Sequence, residues 1–103
     1  MTAESLSLAG KVAIVTGSGR ENGIGAAIAK ALARNGAAVT INYVSETSAP
    51  RAAKLVEAIE SEGGRAVSIR ADVTIPEEAA SLVTGTLTAF KAQKLDILGE
   101  HYQ

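Results

Sequence analysis

Cysteine is absent from the 103 residues, which excludes a disulfide framework, a thiol nucleophile and a thiolate metal site and fits a reducing, cytoplasmic compartment. Neither sign of charge prevails: ten Lys and Arg stand against eleven Asp and Glu, mixed along the chain, for a net charge of -1. The basic footprint that holds nucleic acid or an anionic membrane is therefore missing. No window approaches the roughly 20 apolar residues of a membrane helix. The opening MTAESLSLAGK has an acid at Glu4 and neither a basic region nor a long apolar core, so it does not read as a signal or transit peptide. No linker or low-complexity stretch divides the chain, whose length suits one domain. Aromatics supply only 3% of the residues. Alanine, valine, isoleucine and leucine dominate instead, a composition suited to a parallel sheet buried under helices.

The apolar residues change period along the chain. Residues 12–16, VAIVT, are a short β-branched run bounded by glycines, as a strand buried on both faces reads. From 24 to 35 the apolar positions Ile24, Ala27, Ile28, Ala31 and Leu32 recur at helical spacing, and Asn35-Gly36 supplies the stop. Residues 38–44, AVTINYV, predict a second strand, and the polar turn around 45–48 leads to a second helix. Its stripe is Ala52, Leu55, Val56 and Ile59, and Gly63-Gly64 ends it. Residues 67–71 predict a third, shorter strand. Thr74 and Glu77 have capping-box spacing with Pro76 in the first turn, opening a third helix whose stripe is Ala79, Leu82, Val83, Leu87 and Phe90. A fourth strand begins at 95–98. The order β-α-β-α-β-α-β predicts one α/β unit with a parallel sheet. Right-handed crossovers would place the first two helices on one face and the third on the other, giving three layers, one face thinly covered.

Between the first strand and helix lie Gly17, Ser18, Gly19, Arg20, Gly23, Ile24 and Gly25. Glycine permits positive φ and lets backbone approach a pyrophosphate at a helix N-terminus. A glycine-rich turn also joins a strand to a helix for purely geometric reasons. No Gly-Lys-Ser/Thr is present to suggest a P-loop.

Taken in order, LAGKVAIVTG, GIGAAIAKALARNGAAVTINY, RADVT and Leu95-Asp96-Ile97-Leu98 resemble the N-terminal part of a short-chain dehydrogenase/reductase, an NAD(P)-dependent oxidoreductase. The resemblance covers residues 8 to 98, nearly the whole chain, and implies a partial Rossmann fold over 1–98 followed by a non-family tail at 99–103. The glycine loop departs from the pattern: five residues rather than three separate Gly17 from Gly23, with Glu21 and Asn22 as the extra pair. That length is similar to the loop of the divergent, enoyl-reductase-like branch. By the family pattern Asp72 approaches the adenine and Val73 packs near it.

At the end of the second strand an acid would favour NAD, whereas a cation and neutral donors favour a 2′-phosphate. The chain offers Asn42, Tyr43 and Ser45 there, with Arg20 in the loop, so NADP(H) is expected over NAD(H). The tyrosine and the lysine four residues later that carry the family's proton relay are not found. Tyr43 is followed at that interval by Thr47, Tyr102 lies near the end, and the Asn-Asn-Ala-Gly segment is also missing. His101 beside Glu100 reads as a solvent-exposed tail residue. No catalytic residue is assigned, and this chain alone is expected to be inactive. Three readings remain. One is the dinucleotide-binding part of an NADP-dependent carbonyl or hydroxyl oxidoreductase. Another is a nucleotide- or partner-binding module without turnover, self-associating through the open fourth strand. The third is a truncated product with no function of its own.

Overall fold

Four consecutive aliphatic residues satisfy a strand only where both of its faces are covered. The computed structural model, which describes residues 7–16 and 23–99, places VAIV in this position: β1 (Val12–Val15) is buried along its whole length between two parallel neighbours. The chain continues through α1 (Ile24–Arg34), β2 (Ala38–Tyr43), a 3-10 turn at Glu46–Ser48, α2 (Ala49–Ser61), β3 (Arg65–Arg70), α3 (Pro76–Ala89) and β4 (Ile97–Gly99). The strand order is β3-β2-β1-β4, all parallel. This is the partial Rossmann sheet expected, with β4 reaching one residue into the stretch read as a tail.

Alternation along the strands divides the core in two. Val15, Val39, Ile41 and Ala66 meet Ala29 of α1 and Ala52, Leu55 and Ile59 of α2 on one face. Alanines at these contacts let the helices approach the sheet closely, and burial of a side chain such as Ile59 contributes about 1.5–3 kcal/mol. Ile14 points the other way and meets Ala71 and Leu82 of α3, with Ile69, Val83 and Leu95 around them. The second face is the thinner one: Leu98, in register with Ile14 on edge strand β4, is 53% exposed. At the opposite edge β3 carries the exposed cations Arg65 and Arg70, which discourage further pairing.

The α1–β2 turn depends on one glycine. Gly36 has φ +105°, and a Cβ there would meet Ala9 N at 3.0 Å, because the segment preceding β1 folds over the turn through a Leu8 N–H bond to Asn35 O. Asp96 ties β4 to the start of β1. Its carboxylate accepts from Val12 N–H at 2.9 Å and its own N–H donates to Val12 O.

Four local expectations change. On α1 the face turned to the sheet is Ala26, Ala29, Leu32 and Ala33, while Ala27, Ile28 and Ala31 of the expected stripe are exposed, because in an alanine-rich helix the apolar spacing alone does not single out one face. β3 starts at Arg65 rather than 67 and ends at Arg70, because its full length pairs with β2 from Ala38↔Arg65 to Tyr43↔Arg70. β4 starts at Ile97 rather than 95, since Leu95 turns into the second core and Asp96 is occupied at Val12. The Thr74–Glu77 capping box does not form. Ile75 is the N-cap, and the Thr74 hydroxyl and N–H both donate to Asp72 Oδ1, at 2.6 and 3.0 Å. Asp72, two residues earlier, captures Thr74 in a local turn before the helix can use it.

Candidate functional site

In open parallel α/β sheets, ligands lie beyond the carboxyl ends of the strands. At that end β1 gives way to buried Thr16, and Gly17, Ser18 and Arg20 fall outside the described residues. Gly23 follows at φ +77°, a left-handed conformation that calls for glycine, and among the described residues nothing lies within 4 Å of a Cβ added there. Ile24 opens α1 and Gly25 is buried in its first turn. Among the described residues α1 has no side-chain cap and no acid in its first turn. The N-terminal N–H groups are thus left uncapped by side chains, with the positive end of the helix dipole behind them.

The ends of β2 and β3 run side by side: Ala71 N–H donates to Tyr43 O at 2.9 Å. Asn42, Tyr43, Ser45, Asp72 and Val73 are thereby brought to one rim. They present different groups to it. Asn42 is 1% exposed, and its amide donates to Ala71 O at 3.1 Å and Ile69 O at 3.2 Å. Its amide is committed to these carbonyls, so Asn42 braces the rim rather than offering those donors outward. Tyr43 is half-buried against the first core. Ser45 is exposed; its hydroxyl accepts from Thr47 N–H at 3.1 Å and lies 2.7 Å from Thr47 Oγ1.

Asp72 lies at the mouth of the β3–α3 turn. The Thr74 hydroxyl and then its N–H hold the Asp72 carboxyl below the ordinary carboxylate range, while Asp72 N–H donates to Glu78 Oε1 at 2.8 Å. Val44, Val73 and Ile75 are all exposed around the same two loops. Three uncovered aliphatic side chains beside hydrogen-bonding groups make a surface suited to a flat heteroaromatic ring. The sequence reading did not single out Val44, Ile75 or Arg70. Arg70 closes β3 opposite Tyr43, and its Nε donates to Val44 O at 2.9 Å. The legible signal was its position, two residues before Asp72.

Among the described residues no three His, Asp or Glu side chains converge as metal ligands, and no helix is long and apolar enough to cross a membrane. A cavity of about 490 Å³ lined by Gly10, Lys11, Gln93, Lys94 and Asp96 opens at the amino end of β1, away from the strand ends where the sheet would seat a nucleotide.

The sheet, its crossovers and the glycine turn define the first half of a Rossmann-type α/β domain. The family model described as enoyl-(acyl carrier protein) reductase matches residues 17–101. The chain belongs to the short-chain dehydrogenase/reductase family. It is 48% identical over 91 residues to an uncharacterised oxidoreductase of Methylorubrum extorquens, covering 88% of this chain and 34% of that protein. Versicolorin reductase 1 of Aspergillus parasiticus is 51% identical over 83 residues, 81% of this chain and 30% of the relative. A dehydrogenase/reductase from Sinorhizobium meliloti superposes with a TM-score of 0.84 at 47% identity, over 96% of this chain and 37% of that one. Two further structures were solved with nucleotides. A blue fluorescent protein from a metagenomic library, in complex with NADPH, gives a TM-score of 0.76 at 36% identity, over 89% and 36% of the two chains. A 7α-hydroxysteroid dehydrogenase complexed with NADH and 7-oxo glycochenodeoxycholic acid gives 0.78 at 32%, over 95% and 36%. The chain spans about a third of the length of the relatives it matches.

Proposed function

We propose that this chain is the dinucleotide-binding part of an NADP-dependent oxidoreductase that transfers hydride between NADP(H) and a carbonyl or hydroxyl substrate. One observation carries the reading: the N-terminus of α1, without a side-chain cap among the described residues, and the exposed Val44, Val73 and Ile75 lie along the same carboxyl rim of one parallel sheet. The first suits a pyrophosphate and the second an adenine ring, with Gly17, Ser18, Gly23, Ile24 and Gly25 at the phosphates and Asp72 and Val73 at the base. The bound nicotinamide supplies the hydride. The residues of this chain bind and orient the nucleotide, and none is assigned a proton-transfer role.

The 2′-phosphate preference rests on the absence of an acid at Asn42, Tyr43, Val44 and Ser45 and on Arg20. The NADPH and NADH carried by the two structural relatives support a nicotinamide dinucleotide in general. The exposed Leu98 on edge strand β4 favours a second reading, a binding module that pairs through β4 without turnover. Titration of the chain with NADPH and NADH, followed by nucleotide fluorescence, tests the first. Saturable binding that prefers NADPH and weakens in Arg20→Ala is expected. No binding by a chain that circular dichroism finds folded overturns the cofactor reading.

A further inference from the structure

The rim holds a cation that the reading above leaves unused. Arg70 ends the edge strand β3, and the bond from its Nε to Val44 O fixes its guanidinium at the root of the turn that carries Ser45 and Thr47. A guanidinium has five N–H donors; this bond takes one and leaves the planar fork that matches phosphate oxygens. Among the described residues no carboxylate is paired with Arg70, whereas Arg34 and Lys94 each have one. A cation already held by a backbone carbonyl loses less side-chain freedom when an anion arrives. Ser45, one residue beyond Val44, adds a neutral hydroxyl at the same turn.

We propose that Arg70 is a specificity-determining residue that binds the 2′-phosphate of the dinucleotide together with Ser45. The inference rests on the NADP reading above. It assigns to the edge of β3 a role in nucleotide choice that the glycine loop and the end of β2 would otherwise bear alone.

The test uses adenosine 2′,5′-bisphosphate and adenosine 5′-monophosphate as probes, titrated by calorimetry into the whole chain and its Arg70→Gln and Arg70→Lys variants. The parent is expected to prefer the bisphosphate. Arg70→Gln should lose about tenfold or more of that preference, the scale of one charge-assisted hydrogen bond, with monophosphate affinity unchanged. Arg70→Lys, which keeps the charge but not the fork, should lose less. In the parent, the Arg70 Nε–H resonance should move with the bisphosphate and stay in place with the monophosphate, a readout independent of whether any variant folds. A parent that discriminates while Arg70→Gln weakens both probes equally, or neither, overturns the role of Arg70 and leaves the NADP reading standing; so does an unmoved Nε–H signal. A parent that binds both probes alike overturns the NADP reading, and this inference with it.

Discussion

Asn42 on β2 reaches across to the backbone just beyond β3, where its Nδ2 donates to Ala71 O at 3.1 Å in an environment closed to solvent. The same amide donates to Ile69 O, so one side chain clamps the segment that leads into Asp72. Replacement by leucine keeps the approximate volume and removes the donors. Asn42→Leu is expected to cost about 1–3 kcal/mol, the penalty for leaving buried acceptors without a partner. Urea denaturation with an unchanged m-value would show it, and a loss under a few tenths would mean that those carbonyls are satisfied without Asn42.

A second buried polar pair links α3 to the middle of the sheet. Thr86 Oγ1 donates to Thr40 Oγ1 at 2.9 Å, and both residues are fully buried. Thr40→Val and Thr86→Val should each destabilise the chain by about 1–2 kcal/mol, because each strands the other hydroxyl. The double variant should cost clearly less than the sum, giving a coupling of about 0.5–1.5 kcal/mol in a double-mutant cycle. Strict additivity would mean that the hydroxyls do not interact.

Asp72 sets a pH dependence of definite sign. Because the Thr74 hydroxyl and N–H favour its ionised form, its folded-state pKa lies below its unfolded one. Its contribution is present above the unfolded pKa and lost as pH falls through the folded value. The parent is therefore expected to be more stable than Asp72→Asn at neutral pH, and the two melting curves should converge in acid. A gap that stays constant down through the carboxylate range would remove the assigned charge effect.

Nucleotide choice should respond to charge at the end of β2. Ser45 is exposed there, and Ser45→Asp would set a carboxylate against a 2′-phosphate while offering an acceptor to a ribose hydroxyl. The expected outcome is weaker NADPH binding, by about tenfold or more, with NADH binding kept or improved; a charge repulsion worth about 1.4 kcal/mol suffices. Equal losses for both nucleotides would place the ribose elsewhere.

Which parts of this fold were legible follows from the range over which each is decided. The strand VAIV, the helical stripes of Ala52, Leu55, Val56 and Ile59, and the glycine stops at Gly36 and Gly63 are settled by neighbouring residues, so periodicity and φ preference suffice to read them. The crossover rule likewise carried the two helix layers and the thin second face. The extra length of β3 escaped because Arg65 and Ala66 follow directly on Gly63-Gly64 and read with that turn until pairing with β2 fixes them. The Thr74–Glu77 spacing misled because Asp72 competes for Thr74 and Glu78 takes the Asp72 N–H.

For the candidate site the division runs the same way. The sequence by itself determined the α/β order, the family to which the chain belongs and the start of α1 just after Gly23, since each rests on local spacing along the chain. Only the tertiary structure decided that Asn42 faces β3 backbone, that Thr40 and Thr86 share a buried bond, and that Arg70 stands beside Val44 at the carboxyl rim of the sheet. Those are contacts between residues 26 to 46 positions apart; the β2–β3 register sets the first and last of them and the packing of α3 on the sheet the other, and no short stretch of sequence encodes either.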